Sequence, residues 1–476
     1  MKQGLFLIAG LLICSFISPI YAAQNTTFQP LPQAQVPVRI SANSFSDLFG
    51  EDIKNIQFVK ANRNESGDLQ LSNVPFQWSQ MTDEWTVYTP AYKKIPMSGH
   101  LERLDEYDRV SFMYEHLGNE SCRDAAVQYY NGQHRQHKLV EIQVDPRHGD
   151  MSSERRRYVC ALVSSGLPLE AASYDEAGHF SEHEKRAYSD YYSLKLDDEN
   201  SLIWTDFYFK GVNFKNGKPD GKSLLDSLKI MIDAGLFSES ARIQLDNSNL
   251  ETQIVDVQHG PVFDSMFAKT KVKIAGAKVL DMQIMVHFYQ SHVEMMTRFK
   301  IPPIAKMIVK TPRVNVSLDG YNLWGSKIQT SWGPDEPLVV NGSMDEHEKA
   351  FADKEVSGQD AWIWFSTQKG FDLLTFVDFD EDFNVPIALV YDDDSEKKVE
   401  PERYPGQGPN VGYSIRGMVI GQYFTFNTNL YFSGTLDQAN LQERVIALRQ
   451  PWDIISHHTL VLNNQFLRSD AKKNQM

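Results

Sequence analysis

Three cysteines in 476 residues, and an unbroken apolar run (Leu5 to Ile13) well short of the about 20 residues a span needs, leave several protein classes without support. No stable membrane-spanning helix is expected from such a chain. The cysteines lack zinc-site spacing, and there is no phosphate loop and no dinucleotide fingerprint. Gly412-Tyr413-Ser414-Ile415-Arg416 lacks the glycine two residues after serine that a nucleophile elbow needs. Basic residues are also short: 47 Lys and Arg face 62 Asp and Glu, a net charge of −15. That balance argues against nucleic acid or an anionic membrane surface as partner. No repeat of fixed period and no low-complexity tract is present.

What is present begins with an export signal. Lys2 precedes an apolar run from Leu5 to Ile13, and Ile20-Tyr21-Ala22 supplies a small-residue exit. Cleavage near Ala22 is expected, giving a periplasmic or secreted protein. Cleavage after Ala23 would place bulky Tyr21 in the small-residue pocket. A lipoprotein reading at Cys14 meets Ile13 where a small residue belongs. Residues 1–22 hold one Lys and no acid, so the exported remainder carries −16. At 42% hydrophobic and 23% charged it is ordinary globular material, long enough for two domains.

Export changes the meaning of the cysteines. Cys14 leaves with the signal, and Cys122 and Cys160 remain as an even pair in an oxidising compartment, where one disulfide is the natural reading.

The rest of the chain alternates as strands do. Leu69–Leu71, Val74–Trp78, Arg109–His116, His137–Val144 and Arg155–Val163 are strand candidates of an N-terminal β domain over 23–165. Residues 166–200 are acidic, Tyr-rich and weakly periodic, and read as a linker or excursion. From 201 to 476 the pattern is that of a large antiparallel β-sandwich, supersandwich-like, with few helices. Within it, Lys269–Pro302 reads as a three-stranded meander with turns at Ala275-Gly276 and Gln290-Ser291. In its last strand Val293, Met295, Thr297, Phe299 and Ile301 face one way, and His292, Glu294, Met296, Arg298 and Lys300 the other. Leu224–Ile232 fits either a strand or a helix. Later strands are expected at Ala361–Ser366, Leu373–Val377, Ile387–Tyr391 and Gln422–Phe432, and a helix at Leu436–Leu448.

Four groups of side chains are candidates for function. His287, Tyr289, His292 and Glu294 flank one hairpin turn, with Arg298 on the same face, a set able to move protons at a saccharide. Asp378, Asp380 and Asp382 resemble the start of a calcium loop, but Phe383 stands where that loop needs glycine and Leu389 where it needs glutamate. No cofactor is required, and calcium is the cation such a loop would take. Trp324, Trp332, Trp362 and Trp364 are candidate sugar-binding platforms, since an indole joins an apolar face to a polar edge. His179 and His183 lie one helical turn apart, without the zinc-protease pattern.

The resulting expectation is an exported β-sandwich that binds a small molecule, with glycan the favoured ligand. A non-catalytic envelope assembly or carrier component is the first alternative, and a glycan-active lyase or hydrolase the second. A cleft joining the His–Tyr–Glu–Arg set would favour the enzyme, and a large apolar groove the carrier.

Overall fold

The computed structural model describes residues 36–462, apart from 83–86, 93–96, 131–136, 148–154, 164–177, 275–276, 304–306, 308, 353, 380–384, 419, 422 and 458. The export signal and its exit at Ala22, as well as Asp380 and Asp382, fall outside the described residues.

The protein is mainly β, built from antiparallel sheets. Two sheets form the large sandwich. The first has nine strands, in the spatial order Leu250–Gln258, Asp264–Ile274, Ala277–Phe288, His292–Lys300, Tyr423–Ser433, Asp372–Phe379, Trp362–Ser366, Lys327–Thr330 and Gly333–Val339. The second has six, in the order Arg242–Leu245, Leu225–Leu236, Val309–Gly320, Asn410–Arg416, Pro386–Asp392 and Val356–Ser357. The ambiguous segment at 224–232 is therefore strand. The expected meander is present, with Asp264–Ile274, Ala277–Phe288 and His292–Lys300 paired in sequence.

Alternation explains which face is buried. Val293, Met295 and Phe299 join Ile284, Val286, Phe424, Phe426 and Leu430 in the core between the sheets. The opposite face of the nine-stranded sheet does not open to water as a whole. Trp362, Trp364, Leu374, Phe376 and Tyr431 on that face are covered by Leu441, Val445 and Leu448 of the helix Leu441–Arg449. The three- and four-residue spacing of those apolar positions puts them on one side of the helix.

The N-terminal unit covers a second part of the same face. It pairs a three-stranded sheet (Val38–Ser41, Asp108–Phe112, Gln77–Gln80) with a larger one built on His137–Pro146, Arg157–Val163, Ile56–Arg63 and Leu69–Asn73. Val38, Ile40, Val110 and Phe112 from the first meet Phe58, Ile142, Val144 and Val159 from the second. The Cys122–Cys160 disulfide ties the helix Cys122–Tyr130 to the strand Arg157–Val163. This unit docks through Tyr92, whose hydroxyl lies 2.8 Å from the carbonyls of Ala268 and Ile284, and through Thr89, which donates to Asp256 at 2.6 Å.

Two expected boundaries change. From residue 178 on, the supposed linker is built into the core: His179–Ser181, Arg186–Tyr188 and Tyr192–Leu196 pair with one another and with Trp204–Phe209, and Phe180, Ala187, Tyr192 and Leu194 are buried against the sandwich. These strands are three to five residues long, too short for a period to show. The C-terminal stretch also leaves the sandwich. Trp452–Ser456 and Leu460–Leu462 pair with His137–Pro146 of the N-terminal unit. Local patterning carries no signal for a partner so distant in sequence.

The sandwich core is not filled evenly. Towards its 250–301 end the sheets enclose an apolar cavity of about 350 Å³, lined by Ile232, Ala234, Met282, Phe299, Val314 and their neighbours.

Candidate functional site

The hairpin residues singled out above lie where the N-terminal unit meets the nine-stranded sheet. Cross-strand register sets Glu294 opposite His287 on one side and Asn429 on the other, and His292 opposite Tyr431. His287, Tyr289, His292 and Glu294 do converge. Tyr289 and His292 stack with centroids 4.0 Å apart, and His292 stacks again on Tyr431 at 4.9 Å. His292 Nε2 lies 3.9 Å from Glu294, while His287 Nδ1 and Ser265 Oγ share a hydrogen bond of 2.7 Å.

Arg298 does not join them. Two register steps separate it from Glu294, and it donates to Gln283 at 3.1 Å with its guanidinium 3.6 Å from the Tyr423 ring centroid. The guanidinium at the site is Arg39, from the strand Val38–Ser41. It pairs with Glu294 and donates to the Tyr289 hydroxyl at 2.6 Å, and that hydroxyl donates to Glu294 at 3.2 Å. Arg109, from the neighbouring strand, is the second cation, and among the described residues it makes no ion pair. Arg39 alternates with the buried Val38 and Ile40 and so faces outward, but nothing local in the sequence says what it faces.

The opposite side of this polar seam is acidic and amidic. Asp378 accepts from Asn429 at 2.8 Å and lies 3.5 Å from Arg449 of the covering helix. Of the three aspartates whose spacing resembles the start of a calcium loop, it is the one described, and it faces the seam. The seam keeps contact with solvent: side-chain exposure is 32% for Arg39, 15% for Glu294 and 43% for Asp378.

Protonation follows from enclosure and partners. Burial alone would raise the Glu294 carboxyl, but Arg39 and the two histidines hold it down to about 2. Burial pushes His287 down to about 4 and His292 to about 3, so both imidazoles are neutral at physiological pH. Asp378 moves the other way, up to about 6, because protein crowds the carboxyl on most sides although part of the side chain still reaches solvent; Arg449 opposes the rise and Glu294 adds to it. Arg109 is lowered by burial and by Arg39 beside it. An ionised carboxylate and a carboxyl near neutrality thus share one seam, the arrangement general acid and base chemistry uses.

The other candidates do not assemble a site. Trp362 and Trp364 are buried and donate to Gln442 and Asp372, each at 2.9 Å. Trp332 stacks at 6.5 Å on Phe351, and Trp324 alone of the four is exposed. His179 sits on a strand and His183 in the turn after it, so no helical turn unites them. Among the described residues two carboxylate- or thiol-rich groups have metal-binding proximity. In the first, the thiols of Cys122 and Cys160 are spent in the disulfide. In the second, the Lys229 ammonium already sits among Asp226, Asp319 and Glu402, 3.2 Å from Glu402.

No protein-family model matches the chain, and no curated protein matches it. Among solved structures, 53% of the chain is similar to heparan sulfate lyase HepC from Pedobacter heparinus, at 11% identity and a TM-score of 0.29. A further likeness is to the alpha-N-acetylgalactosaminidase NagBb from Bifidobacterium bifidum, over 52% of the chain at 8% identity and a TM-score of 0.28. The match covers 35% of each of those two chains. A putative aldose 1-epimerase from Escherichia coli K12 is matched over 96% of its length and 51% of this chain, at 10% identity and a TM-score of 0.29. Likeness of this extent assigns no activity.

Proposed function

We propose that this is an exported glycan-binding protein and that the polar seam is its binding site. The observation that carries the reading is Arg109, a half-buried guanidinium with no ion pair among the described residues, beside a solvent-reaching row of Arg39, Glu294, Asn429 and Asp378. Vicinal sugar hydroxyls are both donors and acceptors, and a row of guanidinium, carboxylate and amide groups satisfies both roles. An acidic sugar would in addition pair with Arg109.

An array of neutral and acidic glycans tests the proposal. Saturable binding that Arg109→Ala weakens at least tenfold, with the thermal melt unchanged, supports it. Absence of signal across both glycan classes overturns it.

Hydrolysis is the second reading, favoured by the opposed carboxyls: Glu294 would serve as the ionised partner and Asp378 as the acid. It expects Asp378→Asn to abolish release of reducing ends while leaving binding intact. Turnover that survives this substitution removes it.

A further inference from the structure

The apolar cavity at the 250–301 end of the sandwich lies on the other face of the nine-stranded sheet from the polar seam, lined by Met295 and Thr297 of the strand that carries Glu294. Alternate residues of Leu225–Leu236 (Ile230, Ile232, Ala234 and Leu236) point into it from one sheet, and Met282, Ile284 and Phe299 from the other. Its rim is apolar as well. Phe237 follows directly on Leu236 and is 75% exposed, with φ +61°. That left-handed backbone is disfavoured for a bulky aromatic residue, and the turn holds it nonetheless. Across the ladder Leu236 pairs with Val309, and Met307, two residues before Val309, is 70% exposed. Exposed apolar side chains thus stand just beyond the lining, past the ends of both paired strands.

We propose that this cavity is a binding site for the hydrocarbon chain of a free straight-chain fatty acid. An engineered apolar cavity of about 150 Å³ takes up benzene. By the same ratio, about 350 Å³ accommodates roughly ten to fourteen aliphatic carbons. The narrow space between two sheets selects a single extended chain over a fused-ring ligand. Lys310 follows the lining residue Val309 at the start of the strand Val309–Gly320; alternation starts its side chain on the outer face, across from Gly235, and its flexible stem has the length to turn back over the strand's end, where it is partly exposed and has no ion pair among the described residues. It supplies the cation for a carboxylate held at the mouth. The binding step is non-covalent, and the ligand leaves as it entered.

Calorimetry of the signal-free chain with dodecanoate below its micellar concentration is the test. One saturable site with a negative heat-capacity change is expected, since binding buries apolar surface. Ala234→Met places a flexible side chain in the cavity. It should weaken dodecanoate at least tenfold and raise the melting temperature. Val314→Phe, from another strand of the same sheet, repeats the test should the first variant melt without cooperativity. Lys310→Ala should weaken dodecanoate while leaving dodecanol unchanged, which assigns the head group. Phosphatidylcholine vesicles distinguish the source: the protein should stay in the supernatant. Absence of saturable dodecanoate binding overturns the proposal, as does undiminished binding by a folded cavity-filled variant. Sedimentation with vesicles in place of dodecanoate binding overturns the free acid as ligand.

Discussion

Arg39 and Glu294 form an ion pair between residues 255 apart in sequence, and this pair joins the N-terminal three-stranded sheet to the middle of the large sandwich. Tyr289 completes a triangle in which each member is hydrogen-bonded to the other two. Removing one partner of such an enclosed pair leaves the other without compensation. Arg39→Ala is expected to destabilise the protein by roughly 3 kcal/mol, the lower end for a buried pair because solvent still reaches this one. Arg39→Lys should recover part of that loss, since an ammonium is a point charge without the planar fork that serves two acceptors. Urea unfolding of Arg39→Met, Glu294→Gln and the double variant checks the coupling. Strictly additive effects would show that the two side chains do not support each other.

The buried His292 makes stability depend on pH. Its folded pKa is depressed to about 3, below the ordinary histidine value of 6.5. Between those values the unfolded chain binds a proton that the native protein refuses. Stability from this group is therefore complete above about pH 6.5 and falls as the pH drops towards 3. Among the described residues neither ring nitrogen has a hydrogen-bond partner, and the ring is sandwiched between Tyr289 and Tyr431. His292→Phe keeps the stack and removes the titration. The variant should match or exceed the native melting temperature at pH 7, and its advantage should widen as the pH is lowered to 4. Asp108 and Asp378, both raised to about 6 chiefly by burial, act with the opposite sign. They are present in both proteins and cancel in the difference. Parallel melting curves across this range would refute the assignment.

The hairpin at 287–294 was legible because an alternating strand announces its two faces, and the turn at Gln290-Ser291 fixes which residues oppose each other. Arg298 shares that face, and alternation alone could not say that two further register steps would carry it out of the cluster. Arg39, Arg109 and Asn429 were invisible as site residues for a different reason. Each reads locally as an ordinary outward polar position, and only docking of two units brings them together. The tryptophans mark the same limit from the other side. Trp362 and Trp364 sit on a face that would be solvent-exposed in a bare sandwich, but the helix at 441–449 covers it.

That covering gives Trp364 a structural task. Its indole donates to Asp372 at 2.9 Å, and the same carboxylate accepts from the Leu436 amide at 2.8 Å and from the Ser366 hydroxyl. Burial already raises the Asp372 pKa, with these donors opposing the rise. Trp364→Phe removes one donor from a fully buried carboxylate and should destabilise the protein by about 1–3 kcal/mol. Glycan affinity should be unaffected in Trp362→Phe and Trp364→Phe alike. A loss of affinity in either folded variant would return these indoles to the binding surface.

The Cys122–Cys160 bridge connects elements 38 residues apart. In the chain-entropy model, closing a loop of that length stabilises the fold by about 4 kcal/mol, through the unfolded ensemble it restricts. The bridge also has a local role. It holds the helix Cys122–Tyr130 against Val59, Ala61, Leu139 and Leu162, a small satellite core that buries few large side chains. Replacing both cysteines with alanine should lower the urea midpoint and increase hydrogen exchange first in this helix, ahead of the strand Arg157–Val163, which remains paired on both sides. The polar seam draws none of its residues from the helix, so ligand affinity at low temperature should be retained. If the double variant unfolds at the native midpoint, the bridge contributes nothing to stability and the satellite core holds on its own.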